Sequence, residues 1–156
     1  MKNKISYKEF LDLIYQIGLN DYNFLISQLN SNLVCNRTIF FVIYLTMTSV
    51  LVNNLIDLSK YKFNEDINKI IYLAFKNSTE EEKNSIILYQ LYILDELQEI
   101  IKNLDFEKLS LYILNEITED KLEKNSEYNI LIQYLSNHLS EYFLTLKKIL
   151  KKIKII

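Results

Sequence analysis

One glycine and no proline occur in 156 residues, and those two counts constrain the fold more than any other feature of the chain. Tight hairpins, bulges and left-handed backbone positions usually call for Gly, and turns favour Pro. A β-sandwich or barrel of this length needs many such positions. The chain is therefore expected to be all-α, with short connections capped by Asn, Asp and Ser. Its length fits one domain with a real core, and 49% apolar against 24% charged residues is an ordinary globular balance.

Apolar residues recur with a period close to 3.6 along most of the sequence. That pattern predicts a compact single-domain bundle, residues 1–156, of about six to seven helices. The first helix is expected over 7–17, opened by a Ser6–Glu9 capping box and closed by Gly18 as a left-handed stop. The second is expected over 21–33 and the third over 37–58. Asn64 reads as an N-cap for a helix to about residue 76, with Glu65 and Asp66 favoured in its first turn by the helix dipole. Ser78 with Glu81, and Thr79 with Glu82, offer overlapping capping boxes for a helix ending near 104. Asp105 caps the next, to about 118, and residues 119–125 are the most loop-like stretch. The last helix is expected over 126–152.

Two of these helices carry broad apolar faces. One presents Ile86, Ile87, Leu91, Leu94, Leu97, Ile101 and Leu104; the last presents Leu131, Leu135, His138, Tyr142, Leu146, Ile149 and Ile153. The segment from Thr38 to Val52 has no charge at all, and the 19-residue window 38–56 is long enough to cross a bilayer. Asn53 and Asn54 near one end, and Thr46, Thr48 and Ser49 in the middle, favour the central core helix of a bundle instead. A membrane-associated protein, through this helix or through the basic C-terminal tail, is the alternative.

Several chemistries lack their residues. With Gly18 alone, neither a phosphate-binding loop nor a dinucleotide fingerprint can be built. Cys35 and His138 are the only cysteine and histidine, so a disulfide within the chain is impossible and a reducing cytoplasm is the expected compartment. A Cys35–His138 pair could act as nucleophile and base, but a small buried Cys and a hydrogen-bonded core His are the plainer assignments. A di-iron bundle site needs two Glu-x-x-His pairs, and Leu135 stands three before His138. Asp95, Glu96 and Glu99, or Glu116, Glu119 and Asp120, could hold a hard cation, yet such clusters are usually solvated faces. No cofactor, no metal and no enzymatic activity are expected; a carboxylate-based ligand-binding bundle is a further alternative.

Charge is unevenly spread. Residues 80–127 hold thirteen Asp or Glu against five Lys, a net of −8, within a chain whose total is only −2. Glu80, Glu81, Glu82, Asp95, Glu96, Glu99, Glu116, Glu119 and Asp120, with Tyr89, Tyr92 and Tyr112 among them, form a candidate partner-binding face. Lys147, Lys148, Lys151, Lys152 and Lys154 make a basic tail that suits a helix C-terminus, an anionic lipid or phosphate. A single arginine leaves little for sequence-specific nucleic-acid recognition. The expected function is a small inhibitor or neutraliser of another protein, such as a basic nucleic-acid-handling protein or a toxin. The bias toward Asn, Ile, Lys, Leu and Tyr is that of AT-rich coding DNA. It points to a low-GC bacterium or its phage, where an immunity protein or an anti-CRISPR-like protein would fit.

Overall fold

The computed structural model describes residues 1–29, 34, 36–119 and 126–156. In chain order they form β1 (Asn3–Ile5), α1 (Tyr7–Gln28), α2 (Arg37–Leu55), α3 (Phe63–Leu73), α4 (Glu80–Ile101), α5 (Phe106–Ile117), α6 (Ser126–Lys151) and β2 (Ile153–Ile155). The architecture is the expected all-α bundle, with helix α2 at its centre. Every residue from Val42 to Val52 is buried, and α2 packs against all five other helices. It is the one described helix long and apolar enough to cross a membrane, and 67% of that apolar window is covered by its neighbours. Two of its buried hydroxyls turn back on the helix itself, while Thr46 Oγ1 has no partner among the described residues. Thr48 donates to the Tyr44 carbonyl at 2.9 Å and Ser49 to the Thr46 carbonyl at 2.7 Å, which lets polar side chains sit in an apolar centre.

The N-termini largely follow the sequence signals. Ser6 and Glu9 form the capping box of α1, and Thr79 and Glu82 that of α4. Of the two boxes available to α4, the second is used. Asn36 caps α2 and Asp105 caps α5. Asn64, expected as a cap, lies inside α3 instead, where its side chain accepts from Asn53. The α2 helix stops at Leu55, three residues short of expectation, and α3 stops at Leu73.

Gly18 does something different from what the sequence implied. The helix expected over 7–17 and the described part of the one expected over 21–33 are one continuous α1 that ends at Gln28, residues 30–33 lying outside the described residues, and Gly18 has no positive φ. It belongs to the buried row Phe10, Ile14, Gly18, Tyr22 and Leu25. A Cβ there would meet Thr48 Oγ1 at 3.3 Å and Leu45 at 3.5 Å. The residue is glycine because α1 and α2 touch at that point. The left-handed positions fall instead at Leu104 and Glu119.

A second departure is the pair of strands. Ile153, placed on the last helix by its period, is in β2, which pairs in parallel with β1 in the register Asn3–Ile153, Lys4–Lys154 and Ile5–Ile155. The burial stripe of α6 is also rotated from the expected one, running Tyr128, Ile132, Leu135, Leu139, Tyr142, Leu146 and Leu150. His138 lies on its margin.

Candidate protein-docking face

The α4 helix buries Ile86, Gln90, Ile93, Leu97, Ile100 and Ile101 against the bundle. Its opposite side is not purely polar. At about 100° per residue, Glu81, Asn84, Leu88, Leu91, Tyr92, Asp95 and Glu99 fall on one outward stripe. Leu88 is 69% exposed, Leu91 58% and Tyr92 56%, with Ile87 beside them at 40%. Ile87 and Leu91 were expected in the core, which is a correction. The apolar run on α4 is wider than the face it lays on the bundle, so its outer members stay in solvent.

The apolar patch has acidic ends. Glu80, Glu81 and Glu82 occupy the first turn, while Asp95, Glu96 and Glu99 follow one to two turns after the patch, all six exposed. Glu80 makes a 3.5 Å ion pair with Lys83, in which the Glu80 side chain is largely exposed. In such a solvated pair the attraction is weak.

Toward α5 the face is bounded by tyrosines. The Tyr89 hydroxyl donates to Glu116 Oε2 at 2.7 Å, and the Tyr89 and Tyr92 rings lie 6.2 Å apart. Burial, then the bond to Glu116, pushes the Tyr89 phenol well above its ordinary range. Tyr112 is raised by burial first and by the Glu116 charge second, and its hydroxyl is buried without a hydrogen-bond partner among the described residues. Tyr89, Tyr92, Tyr112, Glu96 and Glu116 are thus brought together, whereas Glu80, Glu81 and Glu82 stand about two turns away along α4. Glu119 is exposed just past the end of α5. Asp120 and Cys35 lie outside the described residues. Beside the face, the first turns of α2 and α4 enclose an open cleft of about 890 Å³ lined by Ile39, Val42, Phe75, Ile86 and Tyr89.

A separate polar cluster ties three helices together. His138 Nε2 on α6 lies 2.9 Å from Asp21 Oδ2 on α1, and the same carboxylate accepts from the buried Tyr44 hydroxyl on α2. Thr48 and Tyr142 meet hydroxyl to hydroxyl at 2.8 Å next to it. The His138 ring stacks on Phe24 with centroids 5.5 Å apart. This makes His138 a hydrogen-bonded histidine at the edge of the core. Neither Asp21 nor Tyr44 carried a sequence signal, because α1, α2 and α6 meet only in the fold. Among the described residues, no three of His, Cys, Asp and Glu gather closely enough to hold a metal ion.

The lysines at the C-terminal end are not a loose tail. Lys147, Lys148 and Lys151 sit in the last turns of α6, Lys152 follows them, and Lys154 is in β2. Comparison of the chain with protein-family models, with curated proteins and with solved structures finds no match.

Proposed function

We propose that this chain is a non-catalytic protein-binding module, a small inhibitor or neutraliser that occludes a basic partner with the outer face of α4 and its α5 margin. The observation that carries the reading is the exposed row Leu88, Leu91 and Tyr92 set between carboxylates. Large apolar side chains left in water at one place mark interaction surfaces. Their burial drives association, Tyr92 is of a residue type enriched at energetic centres, and the acidic ends steer and orient a positively charged partner. A basic nucleic-acid-handling protein or a toxin has that chemistry. In a low-GC bacterium or its phage, such a module acts in the cytoplasm as an immunity protein or as an anti-defence, anti-CRISPR-like protein.

The test is capture from nuclease-treated native host lysate by three tagged proteins side by side. One is the parent, one carries Leu88→Ser with Leu91→Ser, and one carries Asp95→Asn, Glu96→Gln and Glu99→Gln. The parent is expected to retain one stoichiometric protein, the apolar variant to lose it, and the neutralised variant to bind it more slowly and with less salt dependence. Glu116 is left intact because it is bonded to Tyr89. Equal retention by all three proteins would sink the reading.

A further inference from the structure

Pairing of β1 with β2 assembles a cationic surface that neither end of the chain makes alone. Lys4 sits directly beside Lys154, and the Lys152 carbonyl accepts a 2.7 Å hydrogen bond from the Asn3 amide. Lys2 and Lys8 flank β1, while Lys147, Lys148 and Lys151 lead into β2 from α6. All eight lysines are exposed, and none is in an ion pair among the described residues. Glu9, the nearest carboxylate in sequence to β1, is engaged in capping α1, accepting from the Ser6 amide at 2.7 Å.

Local structure explains only part of this. Cations in the last turn of α6 suit the helix dipole, and a lysine on an edge strand discourages pairing with another sheet. Neither accounts for two lysines set directly opposite each other across a ladder, where like charges repel. An anion lying across both strands removes that repulsion. The apolar residues interleaved with the lysines narrow the choice of anion. Ile5, Ile153 and Ile155 pack against the core and Leu150 is buried, which leaves only Met1 and Ile156 as large exposed hydrophobics beside the paired strands, far less than the continuous apolar face that insertion into lipid requires.

We propose that this end of the molecule binds the phosphate backbone of nucleic acid without reading its sequence. Lysine supplies compact point charges for phosphate, whereas base recognition relies heavily on the forked guanidinium, and the sole arginine, Arg37, belongs to α2. Affinity then comes from release of condensed counterions. This surface is independent of the α4 face and stands whether or not that face docks a protein.

Fluorescence anisotropy with a labelled DNA duplex of about 20 base pairs tests it, since log affinity should fall by about 0.9 per neutralised phosphate for each unit of log salt. Two unrelated duplex sequences should bind alike. The variant Lys2→Gln, Lys4→Gln, Lys152→Gln and Lys154→Gln should bind at least about tenfold more weakly at low salt, with a salt slope reduced by about 3.6. Its circular dichroism should remain that of the parent. A control with the same charge change, Lys60→Gln, Lys62→Gln, Lys69→Gln and Lys76→Gln, should bind as the parent does. No binding at low salt, or equal losses in both variants, overturns the proposal. So does binding to vesicles of phosphatidylcholine and phosphatidylserine in equal parts without binding to DNA.

Discussion

The Tyr89 hydroxyl on α4 donates a 2.7 Å hydrogen bond to Glu116 Oε2 on α5, so one carboxylate of the acidic face also fastens two helices together. Tyr89→Phe leaves the partly buried Glu116 without its donor and should destabilise the fold by about 1–2 kcal/mol. A double-mutant cycle with Glu116→Gln should return a coupling of roughly 0.5–3 kcal/mol in urea unfolding. Additive losses would mean that the bond contributes nothing to stability.

Gly18 offers a sharper contest between two effects. Replacing a mid-helix glycine by alanine gains about 1 kcal/mol of helix propensity. Here the new methyl group would press on Thr48 Oγ1, which is held by the Tyr44 carbonyl and the Tyr142 hydroxyl and has little room to move. Overpacking of that kind costs about 1–3 kcal/mol. Gly18→Ala should therefore lower Tm rather than raise it, and Gly18→Val should lower it further. A higher Tm for the alanine variant would show that α1 and α2 can move apart without penalty.

One oxygen of Asp21, Oδ2, serves two donors, Tyr44 and His138, at the α1–α2–α6 junction. Asp21→Ala strands the buried Tyr44 hydroxyl and should cost about 1–3 kcal/mol. Asp21→Asn keeps one acceptor oxygen and should cost less. Equal stabilities for the two variants would indicate that Tyr44 finds another partner.

Alkaline titration reads the buried phenols directly. Burial, first among the causes, raises Tyr44, Tyr89, Tyr112 and Tyr142 above the ordinary value of 10.0. In the unfolded chain the same groups ionise near pH 10. The unfolded state thus gives up these protons first, so their stabilisation is complete below about pH 10 and is lost as pH rises beyond it. Phenolate absorbance should show the exposed members of the twelve tyrosines titrating first, with Tyr44, Tyr89, Tyr112 and Tyr142 ionising only as helical circular dichroism is lost. A single step near pH 10 with the helices intact would contradict this.

The two sides of α4 should respond oppositely to truncation. Leu97→Ala or Ile93→Ala removes a fully buried side chain and should cost about 2–5 kcal/mol. Leu88→Ser and Leu91→Ser, on the exposed stripe, should each change stability by no more than about 0.5 kcal/mol. Large losses from the serine variants would place those residues in the core.

The helices were legible wherever local chemistry decides the outcome. Capping boxes at Ser6 and Thr79, and the cap at Asp105, are written in adjacent residues. The uncharged Thr38–Val52 run likewise announces the centre of the bundle. What depended on distant partners was not legible. Gly18 looks like a helix stop until Thr48 is placed against it. Leu91 fits a helical apolar face, and only the packing of α4 leaves it outside. Of the candidate site, the carboxylates and tyrosines on α4 could be nominated from composition, but the tie between Tyr89 and Glu116 spans 27 positions and needs the fold. The strands were missed because Ile153 continues the helical period and three residues carry no alternation to speak of.

That short ladder has a consequence for how the molecule is made. Asn3 leaves the ribosome about 150 positions before its partner Ile153. Closing so long a loop is entropically slow, although each doubling of its length adds only about 0.6 kcal/mol. Throughout synthesis β1 therefore waits as an unpaired edge, and the six helices can pack before it finds its mate. The ladder works as a fastener closed last, so chains truncated before residue 153 and released from the ribosome should be bundled but open at one seam.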